Sequence, residues 1–221
     1  MAKQPGSDDI RQVEAILPVS RETGQRLEAF VALLQKWQPV ENLISPATLP
    51  HVWRRHVADS AQLYVLFPAV TRFADLGTGA GFPGLVLAIL GHGRPGFHVD
   101  LVESNQRKCA FLRAVVRETG APVSVHHGRA EHVTPQLWQG SVNHNDCVTS
   151  RALAPLSGLL GYAEPLLMRG ALAAFHKGGD WAREVEEART DWDFELVPHP
   201  SGVGEGAILE ISGLRRLGES A

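Results

Sequence analysis

The sequence predicts an α/β fold: a mostly parallel, Rossmann-like sheet of seven strands with helices on both faces, ending in an antiparallel hairpin and preceded by a helical extension. Three observations predict it. From Phe73 onward, short apolar runs alternate with helical patterns, as expected of parallel strands joined by crossover helices. The first run ends in Asp75-Leu76-Gly77-Thr78-Gly79-Ala80-Gly81-Phe82-Pro83-Gly84, a glycine loop that leads into the apolar stretch Leu85 to Leu90. The last two runs have no helix between them and are joined by the Pro/Gly-rich stretch His199 to Gly206, so they pair antiparallel at the sheet edge. A chain of 221 residues, 44% hydrophobic, can bury a sizeable core. One large domain over 70–221 with an attachment over 1–69 is expected, not two equal domains.

Composition narrows the function classes. Lys and Arg number 21 against 24 Asp and Glu, a formal net charge of −3, so any RNA binding must come from a local basic face. Met1 to Ile10 carries no secretory pattern and the run at Leu85 to Leu90 is too short to span a bilayer, which leads us to expect a soluble, cytoplasmic protein. Cys109 and Cys147 are the only cysteines and form no close-spaced pair. They read as small buried apolar residues, and no metal is expected.

In chain order, residues 1–9 are polar with Pro5 and Gly6 and predict a frayed start, followed by a short helix over Ile10 to Leu17 that Pro18 stops. Ser20 is placed to cap a helix reaching Trp37, with Leu27, Phe30, Val31, Leu34 and Trp37 along one face. Gln38 to Thr48 reads as a loop, and Leu49 to Leu66 as a helix containing Arg54, Arg55 and His56. Arg54 and Arg55 face RNA phosphates or simply form a solvated helix face, and His56 taken alone reads as a hydrogen-bonded structural residue. After the strand Phe97 to Glu103, the stretch Asn105 to Glu118 alternates Arg107, Lys108, Arg113 and Arg117 with apolar residues and closes at Gly120, an amphipathic helix with a basic outer face. Pro122 to His126 is a third strand followed by Gly128-Arg129-Ala130-Glu131, and Asp146 to Thr149 a fourth leading to Ser150-Arg151-Ala152. A helix over Pro155 to Met168, a strand over Ala171 to Phe175 ending at His176-Lys177-Gly178, a helix over Asp180 to Thr190, and strands Phe194 to Val197 and Ile208 to Ile211 complete the chain. His126, His127, His132 and His144 lack the spacing of a metal or nucleophile site and read as surface or strand-end residues.

The strand-loop-helix around Gly77 is a ligand cradle. Glycines allow positive φ and close backbone approach, while a helix N-terminus offers free N–H groups. Gly79, Gly81 and Gly84 satisfy the dinucleotide fingerprint, and Glu103 follows Gly84 by 19 residues, near the ~20 expected of a ribose-binding carboxylate. NAD and S-adenosylmethionine both carry that ribose. Asp75 favours the second, because an anion repels a pyrophosphate but attracts the ammonium of the methionine moiety. A terminal antiparallel hairpin is also the usual ending of an S-adenosylmethionine-dependent methyltransferase sheet, and nothing outside the one sheet supplies the substrate domain of an NAD oxidoreductase. Arg151 and Glu131 fall beside the same crevice, at the carboxyl ends of strands. Arg151 binds a carboxylate or an RNA phosphate, or pairs structurally with Asp75 or Asp146. Glu131 accepts from an adenine amino group or caps the helix that follows.

Several segments together resemble the bacterial RsmG family, also called glucose-inhibited division protein B. They are Asn42-Leu43-Ile44-Ser45, Arg55-His56-x-x-Asp59-Ser60, the loop Asp75 to Gly84, Glu103-Ser104-x-x-Arg107-Lys108-x-x-Phe111-Leu112, Gly128-Arg129-Ala130-Glu131, Ser150-Arg151-Ala152 and Lys177-Gly178. The resemblance runs nearly the whole chain and departs at Gln38-Pro39-Val40-Glu41, where family members usually carry a basic or polar stretch. It implies a class I S-adenosylmethionine-dependent methyltransferase fold and methyl transfer to N7 of a guanine in 16S rRNA, as naked RNA or within the small ribosomal subunit or its assembly intermediate. It also implies that Gly77, Phe82, Ala130, Glu131 and Arg151 line the S-adenosylmethionine site with Glu103 on the ribose, beside Asp75 and Gly79 of the glycine loop. Guanine N7 has a lone pair and no proton, so no general base is required and no catalytic residue is assigned. Arg55, His56, Lys108, Arg151 and Lys177 are the candidates for an RNA-holding basic rim. A small-molecule methyltransferase and a non-catalytic cofactor-sensing RNA-binding protein are the alternatives.

Overall fold

A computed structural model describes residues 8–218. Seven strands form one sheet in the order β3-β2-β1-β4-β5-β7-β6. They are β1 (Arg72–Leu76), β2 (His98–Glu103), β3 (Val123–His127), β4 (Asp146–Arg151), β5 (Leu172–Lys177), β6 (Trp192–Pro200) and β7 (Ala207–Arg216). The first five are parallel to their neighbours, while β7 lies antiparallel between β5 and β6. The expected hairpin is present and longer than the pattern suggested, because Pro198 and Pro200 fall on β6, an edge strand where a missing N–H interrupts no ladder on the open side.

Helices cover both faces. On one side lie α2 (Arg21–Trp37), α3 (Asp59–Leu66), α4 (Gly84–Leu90) and α5 (Gln106–Thr119), and on the other α6 (Ala130–Val133), α7 (Leu156–Leu167) and α8 (Trp181–Ala188), with the short α1 (Arg11–Glu14) beside the start of α3. Ser20 Oγ accepts from the Thr23 amide at the start of α2, and Asn105 Oδ1 from the Arg107 and Lys108 amides at the start of α5. Gly120 closes α5 with a left-handed φ of +65°. One apolar cluster runs from Leu27, Phe30 and Leu34 of α2 through Phe82 to Leu85 of α4 and Phe111 of α5. The helical extension thus shares its core with the sheet. Cys109 and Cys147 are free and buried.

Two expectations are corrected. Residues 1–7 of the expected frayed start lie outside the described residues, but Asp8 and Asp9 are fixed: Asp8 accepts from the Trp53 and Arg54 amides at 2.9 Å each, and Asp9 binds Arg11 at 2.8 Å. Instead of one helix over 49–66, a 3₁₀ turn (Leu49–His51) leads into a turn of wider π-helix (Trp53–Ala58) that continues as α3. The Asp8 carboxylate takes the N–H groups that a new helix start leaves free, so the helix begins at Trp53.

Candidate active site

Strands β3, β2, β1 and β4 are parallel neighbours, so the segments after their carboxyl ends share one crevice. The loop after β1 is fastened to β2 by the Gly77 and Thr78 amides, which donate to the Val102 carbonyl at 2.9 and 3.1 Å. Gly77 has φ +66°, and a Cβ there would stand 2.6 Å from the Leu153 side chain. At the start of α4 a Cβ on Gly84 would lie 2.2 Å from Leu101 and 2.8 Å from Asp75 Oδ2. At Gly84 the loop therefore sits on the sheet with no room for a side chain, while at Gly77 it is the positive φ that favours glycine.

Two carboxylates hold it. Asp75 is fully buried; its Oδ2 accepts from Thr78 Oγ1 at 2.6 Å and from the Gly84 amide at 2.8 Å, while Oδ1 has no hydrogen-bond partner among the described residues. Burial pushes its pKa up to about 7, against the Thr78 and Gly84 hydrogen bonds that favour the charged form. The carboxylate lies beneath the loop. Its uncompensated oxygen still makes the site favourable for a cation above it. Glu103, at the end of β2, accepts from the Gly79 amide at 2.9 Å through Oε2 and from the Asn105 amide at 2.7 Å through Oε1. Each oxygen retains a lone pair, which suits the two hydroxyls of a ribose. The orphaned Asp75 oxygen and these lone pairs fit S-adenosylmethionine, a cation that carries a ribose. Ala130 is buried at the start of α6, next to Glu131, which is exposed with no hydrogen bond or ion pair among the described residues.

Across β4 the extension and the sheet meet at Arg151. Its Nη1 donates to the Arg55 carbonyl and to Asp59 Oδ2, each at 3.1 Å, and its Nη2 donates to His56 Nδ1. His56 must then carry its proton on Nε2, which lies 2.9 Å from Thr48 Oγ1, and Thr48 in turn donates to the Ser45 carbonyl. Burial, then the positive charges of Arg151 and Arg55, push the His56 pKa down to about 3, so the ring is neutral. It stacks tilted against Phe82 at 5.0 Å, and Phe82 packs on Phe30 at 5.1 Å. Asp59 also receives Gln62 Nε2 at 3.0 Å and Ser201 Oγ at 3.4 Å, and its carbonyl accepts from His176 Nε2 at 3.2 Å. Beside this network lies a cleft of about 870 Å³ between the π-turn, the ends of β4 and β5, and the loop joining β6 to β7.

A family model described as rRNA small subunit methyltransferase G matches residues 23–203. The Ribosomal RNA small subunit methyltransferase G of Methylorubrum extorquens strain PA1 is 50% identical over 201 residues, covering 90% of this chain and 92% of its own. This chain belongs to the rRNA small subunit methyltransferase G family. A Brucella canis member is 47% identical over 214 residues, covering 95% of this chain and 98% of its own. Among solved structures, an O-methyltransferase from Bacillus cereus in complex with SAH superposes with a TM-score of 0.55 at 13% identity over 92% of this chain and 96% of that one, a likeness of fold. As a family member the chain is an S-adenosylmethionine-dependent rRNA methyltransferase. No helix among the described residues is long and apolar enough to cross a membrane.

Gly77, Gly79, Glu103, Ala130 and Glu131 lie at or after the carboxyl ends of the parallel strands β1, β2 and β3, with Asp75 beneath the loop, and Phe82 and Arg151 both contact His56. The rim candidates separate. Arg55 is exposed on the cleft, but His56 is buried in the Arg151 network and Lys177 is ion-paired with Glu184 at 2.5 Å and donates to the Ala154 carbonyl. Neither of these two is a free cation, though both line the cleft. Arg151 pairs with Asp59, not with Asp75 or Asp146; the latter binds Arg72. Lys108 lies on the first turn of α5, outside the cleft lining. His126 is not idle, since it meets the buried Asp100 at 2.7 Å, where Trp138 Nε1 also donates at 2.9 Å. Missed as site residues were Asp8, Asp59 and Gln62, whose partners on other elements lie 45 to 142 positions away and leave no spacing signal.

Proposed function

We propose that this chain transfers a methyl group from S-adenosylmethionine to N7 of a guanine in 16S rRNA, presented naked or within the small subunit. One observation carries the proposal beyond the family assignment. The imidazole that a proton-abstracting mechanism would use, His56, stands where crevice and cleft meet, with both ring nitrogens bonded and the ring held neutral. A nucleophile that carries a lone pair and no proton needs no such base, and guanine N7 is one.

When bound, S-adenosylmethionine supplies a methyl group on a sulfonium centre. The chain's residues bind and orient. Glu103 takes the ribose hydroxyls while holding Gly79 in place, and Asp75, with its pKa of about 7, is drawn by a cation above the loop into the ionised form that favours the cationic end. Ala130 and Glu131 close the adenine side. Arg151, fixed by Asp59, His56 and the Arg55 carbonyl, sets the wall between cofactor and incoming base. Catalysis in this arrangement is alignment. The test is transfer of labelled methyl to 16S rRNA lacking its own N7-methylguanines, naked and in small subunits, mapped by strand cleavage at N7-methylated positions. Label at one guanine is expected; label elsewhere than N7, or none with cofactor binding intact, overturns the proposal.

A further inference from the structure

Most charged groups around the cleft are already used by the fold. Asp59 is taken by Arg151, Gln62 and Ser201, and Glu184 by Lys177 and the Leu156 amide. Three are not. Arg54 and Arg55 on the π-turn and Glu205 on the loop after β6 line the cleft, are exposed, and make no side-chain hydrogen bond or ion pair among the described residues. This loop is firmly seated. The Ser201 amide donates to the Gly206 carbonyl at 2.9 Å, the Gly202 amide to Gln62 Oε1 at 2.6 Å, and a Cβ on Gly206 would stand 2.2 Å from the Lys177 carbonyl oxygen. Arg55 Nη1 comes within 3.8 Å of where a Gly204 Cβ would be, so an unpaired guanidinium reaches the loop that carries an unpaired carboxylate, and both residues line one cleft.

Such a rim complements an edge that presents one acceptor and then two adjacent donors. Among the four bases only guanine has that edge, with O6 as acceptor and N1–H and the N2 amino group as donors. Adenine offers one donor beside an acceptor, and neither pyrimidine has two adjacent donors. Enzymes that modify a base take it out of the stack and read this Watson–Crick edge. We infer that Glu205 selects the target guanine, its carboxylate accepting from N1–H and from the N2 amino group while Arg55 donates to O6. N7, on the other edge of the base, stays free for methyl transfer, and Arg54 is left for a neighbouring phosphate.

The inference rests on the guanine-N7 reading, and the two fail differently. Two synthetic rRNA fragments are compared, one with guanosine and one with inosine at the methylated position, because inosine lacks only the N2 amino group. The unaltered protein is expected to methylate the inosine RNA about 10- to 100-fold less efficiently in kcat/KM. In Glu205→Ala and Glu205→Gln the guanosine rate falls toward the inosine rate and the ratio approaches one. S-Adenosylhomocysteine affinity and the unfolding midpoint stay unchanged, since Glu205 is exposed and holds no other group. No transfer to guanosine by the unaltered protein defeats the N7 reading itself. With transfer present, equal rates on the two RNAs, a wild-type ratio kept in the variants, or complete loss on both RNAs overturns the role of Glu205.

Discussion

The glycine crevice and the Arg151 cleft adjoin one another and are built in opposite ways. In the crevice the side chains bind groups 2 to 24 positions away: Asp75 accepts from the Thr78 hydroxyl and the Gly84 amide, and Glu103 from the Gly79 and Asn105 amides. In the cleft they reach across the molecule: Arg151 to Asp59 spans 92 positions, His176 to Asp59 117, and Gly202 to Gln62 140. The first site is a property of a short stretch and its neighbouring strand. The second exists only once the extension is docked on the sheet. Damage to the cleft should therefore cost RNA methylation and extension docking, whereas damage to the crevice should cost cofactor binding first.

The sharpest break in that contrast is Arg151→Ala. It leaves the Asp59 carboxylate and His56 Nδ1 without their shared donor in a largely buried site, a loss on the order of 3 kcal/mol of stability. We expect rRNA methylation to fall by more than about 100-fold through lost alignment. Arg151→Lys restores little, because one ammonium cannot serve the Asp59 carboxylate, the His56 ring and the Arg55 carbonyl with the fixed geometry of a guanidinium. Denaturant melts and single-turnover methylation check both numbers. Near-normal stability would mean that the network does not bind the extension to the sheet.

Glu103→Ala tests the other side. Calorimetric affinity for S-adenosylhomocysteine should drop by about 1–3 kcal/mol, from lost ribose bonds and from a loosened Gly79 amide. The thermal midpoint without ligand should move much less than in Arg151→Ala. Unchanged affinity would remove Glu103 from the cofactor site and leave it as a loop brace alone.

The same division decides what the sequence could disclose. The crevice was legible because its chemistry lies in a continuous string, Asp75 to Gly84, and in one acid at the end of the next strand. Alternating strand and helix patterns placed all seven strands for a related reason, since each element's apolar spacing is local. His56 and Lys177 were candidates for a basic rim because a sequence shows charge and not partner. Arg151, which binds the His56 ring, and Glu184, which pairs with Lys177, come from other elements. Asp8 lay in a polar stretch that composition marks as loose, yet its carboxylate starts the π-turn bearing Arg54 and Arg55. Replacing it by Ala should cost about 1 kcal/mol, in line with loss of a helix cap, and should raise the KM for rRNA while leaving cofactor affinity intact. An unaltered KM would show that the π-turn holds its shape through packing alone.

The smallest expected effect is a near cancellation, and it sets one region against the other by proton linkage. His56 in the cleft has its pKa lowered from 6.5 to about 3, so its contribution to stability is complete above about pH 6.5 and is lost as pH falls toward 3. Asp75 in the crevice has its pKa raised from 3.8 to about 7, so its contribution is complete below about pH 3.8 and is lost as pH rises through 7. Between about pH 4 and 6.5 the two slopes oppose each other, and these two groups leave stability nearly flat. Each variant should uncover the other's limb. His56→Gln makes stability fall as pH rises across this window, and Asp75→Asn makes it rise. Urea midpoints at the two ends of the window measure both signs. Slopes of the same sign in the two variants would mean that cleft and crevice do not titrate as separate sites, because opposite signs require one group held neutral as a base and the other as an acid.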